Sequence, residues 1–362
     1  MLYYIGMFGV LASTELILTQ LNIKNRKKIF LIIAYFMLSL FSCFRDFSVG
    51  TDTQQFVTSY NFFSNYGFEV VNFNQIYEPG FMLYMILLSR ISASPRFFIV
   101  ITYLFINFGI IKFINDNSKD YFISIIIYIF SCQFLASMTM LRQFMAISIV
   151  FLFFRNLLNK KYFRFLLSVF IAMMFHYFAI LFVLLIPIYI IKKLNKAGLV
   201  AVLIALLIFY IFLPDIVMFL LNNISNYNDY IAYLESVGED MGTFRLPPML
   251  LVLCALLMPY IVNFKRYYYN ETVLLYKGKN YGFLNLVYLL LFCLVILSGR
   301  FGLFTRVYYY FTPFLVLIPN IFDFDKNKDW RLYTILMCLA IFITSLLLHR
   351  GTYGTENFQF GF

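Results

Sequence analysis

FFIVITYLFINFGIIKFINDNSKDYFISIIIYIFSCQFLASMTMLRQFMAISIVFLFF, residues 97–154, is read first because it decides the fold. It holds most of three apolar runs, 97–114, 121–137 and 140–157. Its charges, Lys112, Asp116, Lys119, Asp120 and Arg142, fall at the ends of those runs. About 20 apolar residues in a helix cross the ~30 Å of bilayer hydrocarbon. Three runs of nearly that length, joined at short polar breaks, read as helices threaded back and forth through a membrane.

The rest of the chain repeats the pattern. Further runs cover 2–18, 29–44, 198–213, 247–264, 281–298, 304–321 and 330–348. A longer one, 162–191, is interrupted by His176, and a short one, 79–92, starts at Pro79. Of 362 residues 62% are hydrophobic, 21% aromatic and 12% charged. That is half the charge of an ordinary soluble domain, which excludes a soluble enzyme, a disordered chain and a disulfide scaffold. No polar stretch is long enough for a second domain, so 1–362 reads as one membrane-embedded unit. The first run lacks a basic leader and a small-residue cleavage site, so it is expected to be a retained helix rather than a signal peptide. Cys43, Cys132, Cys254, Cys293 and Cys338 all lie in apolar runs without metal-ligand spacing, and read as packing residues.

The net charge of +11 comes in short basic clusters between the runs, the mark of membrane orientation. All the clusters share one side if 79–92 does not cross fully and 162–191 turns back near His176. The expected fold is then all-α and polytopic, with about 12 transmembrane helices (range about 11–14) and both termini outside. Under that topology all 15 lysines lie inside. The eight outer basic residues are all arginines: Arg45, Arg90, Arg96, Arg142, Arg245, Arg300, Arg306 and Arg350. Arginine offers a planar, weakly hydrated fork that binds phosphate bidentately, so an arginine-only face suits a phosphate or diphosphate. Two outer loops are long, 45–78 and 214–246. In the first, Phe56, Val57, Tyr60 and Phe63 recur at helical spacing, which predicts an interfacial helix over 53–64.

Polar residues at the outer helix ends are the candidates for chemistry, because ionisable groups at membrane depth are costly. Asp52 follows Gly50, which permits a turn, and could cap the interfacial helix or act as a base. Glu78 precedes Pro79, at the positive end of a short helix. Arg142 and Gln143 occupy an outer turn, and His176 marks another. Arg300 and Arg306 flank a segment leading into Tyr308 and Tyr309, a set suited to a sugar phosphate or to an aromatic belt. Gly-rich phosphate loops, nucleophile elbows and Cys/His clusters are absent, so no cofactor or metal is expected.

Taken in order, Arg45 with Gly50-Thr51-Asp52, Glu78-Pro79-Gly80-Phe81, Arg142-Gln143 with Ala146, His176, and Arg306 with its tyrosines resemble the EpsG family. That family belongs to the Wzy-type polymerases of bacterial capsule, exopolysaccharide and O-antigen synthesis. The resemblance covers about residues 40–315. It implies a multi-pass glycosyltransferase of the bacterial cytoplasmic membrane, with its site facing outward. Its substrates would be undecaprenyl-diphosphate-linked glycans, one as donor and one as acceptor. Chain-length and flippase partners are implied, and nucleic acid is not. On this reading Asp52 is the base, with His176 as alternative or acceptor-positioning residue, and Glu78 ranks last because its charge belongs to the helix start. Arg45, Arg142, Gln143, Arg300, Arg306, Tyr308 and Tyr309 would bind diphosphate and substrate. Two other classes remain at this point: a lipid-linked oligosaccharide flippase, and another lipid-phosphate glycosyltransferase or ligase. A flippase should carry polar groups on both sides of the midplane.

Overall fold

The computed structural model describes residues 2–67, 77–191, 281–300, 303–320 and 358–361, with short pieces between 198 and 212 and between 332 and 343. The 214–246 loop and the 247–264 run lie outside the described residues, as does most of the 330–348 run. The described elements are helices, with one isolated antiparallel bridge between Arg45 and Phe360.

The apolar runs become helices close to where the sequence puts them. They are α1 Leu2–Gln20, α2 Arg26–Cys43, α3 Thr53–Tyr66, α4 Pro79–Ile91 and α5 Pro95–Asn117. Pro79 and Pro95 open α4 and α5, where the missing N–H costs nothing. The 121–137 run, expected to be one span, is instead broken into α6 Tyr121–Phe130 and α7 Gln133–Thr139, bent by 55°. Ser131 Oγ turns back to donate to the Ile127 carbonyl, and Cys132 takes a left-handed φ of 60°. Both features compete with continuing the helix.

The chain continues through α8 Leu141–Leu152, α9 Arg155–Leu158 and α10 Tyr162–Met173. A 3₁₀ segment, Tyr177–Leu184, then leads into α11 Leu185–Ile191. Later come α12 Tyr281–Arg300, α13 Leu303–Phe311 and a second 3₁₀ segment, Thr312–Asn320. Two described helices, Pro95–Asn117 and Leu141–Leu158, are each long and apolar enough to cross a membrane, and the bent α6–α7 pair makes a third candidate. The molecule is an all-α membrane protein.

Residues 162–191 fold back on themselves, as the break at His176 suggests. Tyr189 Oη, near the end of α11, donates to the Leu158 carbonyl before α10 begins. The chain therefore rises to His176 and returns to the level it left.

Long-range hydrogen bonds sort the two ends of the bundle. At one end Lys27 Nζ donates to the Asn115 carbonyl, the Lys119 amide to Asn320 Oδ1, and Asn320 Nδ2 to the Asn117 carbonyl. At the other, Arg96 donates to the carbonyls of Cys43 and Arg45, and Arg45 donates to that of Met138. Lys27 and Lys119 thus mark one end of the bundle, the lysine end, and Arg45 and Arg96 mark the other, the arginine end. Residues 358–361 also belong to the arginine end. The Asp46 amide donates to the Gln359 carbonyl (2.8 Å) and the Gly361 amide to that of Phe44 (2.9 Å). Phe358 and Phe360 fill the space among Tyr3, Tyr4 and Phe41, with ring centroids 5.3–5.7 Å apart.

The core is apolar and aromatic. Phe113 of α5 stacks on Phe151 of α8 at 3.8 Å, and both meet Phe314 edge-on. This packing fixes α5, α8 and the 3₁₀ segment after α13 against each other, and so fixes what lies above them at the arginine end.

Candidate active site at the arginine end

Four segments that are distant in sequence meet here. They are the start of α4, the start of α8, the break after α10, and α13. Gly80 lets the first reach the third, because a Cβ at that position would stand 2.6 Å from the Met174 Cβ and 2.8 Å from its carbonyl oxygen. The Phe81 amide uses the close approach to donate to the same carbonyl, at 3.0 Å. Gln143, buried in α8, reaches across with Nε2 to the Arg306 carbonyl, 2.9 Å away, and ties α8 to α13.

Glu78 is where the sequence reading needs correction. Its expected role was to serve the start of the short helix, but its side chain makes no capping bond there. One carboxylate oxygen instead pairs with Arg142 Nη1 at 2.5 Å, and the other accepts from the Tyr177 amide at 3.3 Å. Glu78 is nearly buried, whereas a quarter of the Arg142 side chain is open. The Arg142 guanidinium lies over the ring of Tyr77, 4.9 Å from its centre, and nearer Tyr77 than Phe81. A carboxylate and a ring face hold this arginine without consuming all five donors.

His176 stands in the break between α10 and the 3₁₀ segment, outside either. Its Nδ1 lies 2.6 Å from the Tyr310 hydroxyl. Burial pulls the imidazole down to about 3, and the nearby charges of Arg142 and Arg306 push the same way. The ring is therefore neutral at physiological pH. Tyr310 escaped the sequence reading, which chose Tyr308 and Tyr309. Both of those are buried, and their rings pack on each other at 5.3 Å. The signal was available, because Arg306 and Tyr310 are four residues apart and share a helix face.

Arg45 also departs from expectation. It is fully buried. Nε donates to the Val49 carbonyl (3.0 Å) and Nη1 to that of Ser42 (2.6 Å). Nη2 bonds Thr53 Oγ1, Tyr103 Oη and the Met138 carbonyl at 2.9–3.1 Å. Its fork is spent on folding the 45–53 loop and cannot reach a phosphate in this arrangement. Asp52, in the same loop, is half-buried and makes no capping bond to α3. Its carboxylate accepts from Thr51 Oγ1 at 3.1 Å. Gly50, at φ +92°, turns the loop just before it. Of Arg300 only its place at the end of α12 is described.

A helical bundle that brings Arg142, Glu78, His176 and Arg306 together at one end, on apolar helices long enough to cross a membrane, defines the class: an integral membrane protein. Residues 28–360 match the sequence model of the EpsG family, so the chain belongs to the EpsG family, which is associated with polysaccharide polymerases. No curated protein and no solved structure matches the chain.

Proposed function

We propose that this chain is a glycosyltransferase that polymerises oligosaccharide repeat units carried on undecaprenyl diphosphate, at the outer face of the bacterial cytoplasmic membrane. The observation that carries the proposal is the meeting of Arg142, Glu78, His176 and Arg306 at one end of an apolar bundle. Glu78 is buried and Arg142 and His176 are partly so, and charge interactions are strong where water is scarce.

The chemistry follows from that placement. The acceptor hydroxyl attacks the anomeric carbon of the donor glycan. The bond from that carbon to the diphosphate oxygen breaks, and undecaprenyl diphosphate leaves with the electron pair. Arg142 and Arg306 are set to stabilise the charge that develops on the leaving group. Glu78 is the resting counter-ion of Arg142. An arriving diphosphate competes with it for the guanidinium. The proton of the acceptor hydroxyl goes to Asp52, whose carboxylate is half-exposed and has no cap to serve.

The test is a polymerisation assay with purified protein and lipid-linked repeat units, run beside Asp52→Asn. Wild type should give a ladder of polymer. Asp52→Asn should fold normally and lose about 10²-fold or more in rate. Near-normal polymer from Asp52→Asn would remove Asp52 as the base. In cells, gene deletion should leave surface glycan one repeat long, whereas repeat units trapped inside would point to a flippase.

A further inference from the structure

The contact between His176 and Tyr310 determines more than a position. Tyr310 is fully buried, and its hydroxyl meets one partner among the described residues, His176 Nδ1 at 2.6 Å. A phenol is protonated at neutral pH and must place that proton on an acceptor or leave it unsatisfied at a cost of about 1–3 kcal/mol. If Nδ1 carried the ring proton, it would point at the phenol oxygen, and the phenolic proton would have nowhere to go. The arrangement that satisfies both groups has the phenol donating to Nδ1. A neutral imidazole carries a single N–H, which then sits on Nε2.

Resting on the reading of this cluster as the active site, we infer that His176 serves it as a neutral hydrogen-bond donor through Nε2–H, with Tyr310 as the positioning residue that fixes the tautomer. The role differs in kind from that of a base. A ring already protonated at Nε2, with Nδ1 engaged by Tyr310, has no free lone pair to take the proton of an acceptor hydroxyl. Its Nε2 makes no hydrogen bond to the protein among the described residues, and the ring is part-exposed. An N–H in that position, within reach of the charges of Arg142 and Arg306, suits an oxygen that is negative or becoming so. The ligand class is a diphosphate oxygen, including the one bonded to the anomeric carbon, which takes the electron pair as that bond breaks. Imidazolium would add a third positive charge beside Arg142 and Arg306, and those two charges oppose its formation.

The experiment reads the tautomer directly. Protein with ¹⁵N-labelled histidine is placed in lipid nanodiscs, and the second histidine is removed by His349→Gln. The expected spectrum has a pyridine-type Nδ1 and a pyrrole-type Nε2, unchanged between about pH 5.5 and 8.5, a window around the ordinary histidine value. Tyr310→Phe should let the two tautomers mix. A pyrrole-type Nδ1, or a ring that titrates within the window, would overturn the inference. Activity gives a second reading. His176→Gln retains an N–H near Nε2 but cannot act as a base. It should stay within about tenfold of wild type and keep the same acid limb in its pH profile, whereas His176→Ala loses about 10²-fold. A folded His176→Gln as inactive as His176→Ala would also overturn it. If wild type makes no polymer from any lipid-linked glycan, the polymerase reading fails, and the tautomer measurement still stands.

Discussion

Arg45 and Arg142 stand at the same end of the same bundle, and in the sequence they look alike: each closes or opens an apolar run on the arginine face. In the structure they are opposites. Arg45 has no surface and no carboxylate. Three carbonyls and two hydroxyls take its fork. Arg142 keeps a quarter of its side chain open and leans on one carboxylate and one ring. The first binds the protein to itself, and the second, on the proposed function, is held ready for exchange. An arginine's role is thus set by whether its acceptors are fixed backbone or a movable charge.

The comparison can be broken most decisively at Arg45. Arg45→Ala removes a buried donor from the carbonyls of Ser42, Val49 and Met138 and from the hydroxyls of Thr53 and Tyr103, and should cost about 3 kcal/mol or more. Thermal melting in detergent and the yield of folded protein should fall together, with activity following the folded fraction. A stable but inactive Arg45→Ala would make Arg45 a substrate residue and erase the contrast.

Arg142 should behave the other way. Arg142→Ala leaves Glu78 without its counter-ion and should lower the melt, but the folded protein should still lose about 10²-fold in polymerisation rate. Arg142→Lys should fall within a few-fold of that loss, because a point charge cannot grip a phosphate as a fork does. Full recovery by lysine would reduce Arg142 to an anchor.

The smallest effect sharpens the Arg45 side. Phe360→Ala removes edge-on contacts to Tyr3 and Phe358. It should lower stability by about 1–2 kcal/mol through the loop that Arg45 organises. Melting should drop by a few degrees with the polymer ladder unchanged at low temperature. An unaltered melt would mean that residues 358–361 rest on the loop without holding it.

Much of the fold was legible because hydrophobic length and charge placement are local signals. The ends of α1, α2, α3, α4 and α5 fall close to the bounds read from the runs, and the return at His176 follows from the charge count. The break at Ser131-Cys132 was not legible, since both residues are at home in an apolar helix until one donates backwards and the other turns left-handed. In the site, sequence order could name Arg142, His176 and Arg306 but not their partners. Glu78 looks like a helix start because Pro79 follows it, and only the fold brings Tyr177 and Arg142 to its two oxygens. Tyr310 was legible from its spacing to Arg306, and the eye was drawn to its neighbours instead.

The pairing of Arg45 with Phe360 has a consequence for synthesis. A ribosome adding about 5–20 residues per second makes the loop tens of seconds before it makes the segment that latches it. During that interval the backbone groups of Phe44 and Asp46 still lack their partners. The 45–53 loop is thus made well before it can be locked, and locking waits for residues 358–361 to be translated. Translation order makes residues 358–361 a late checkpoint on the early-made 45–53 loop.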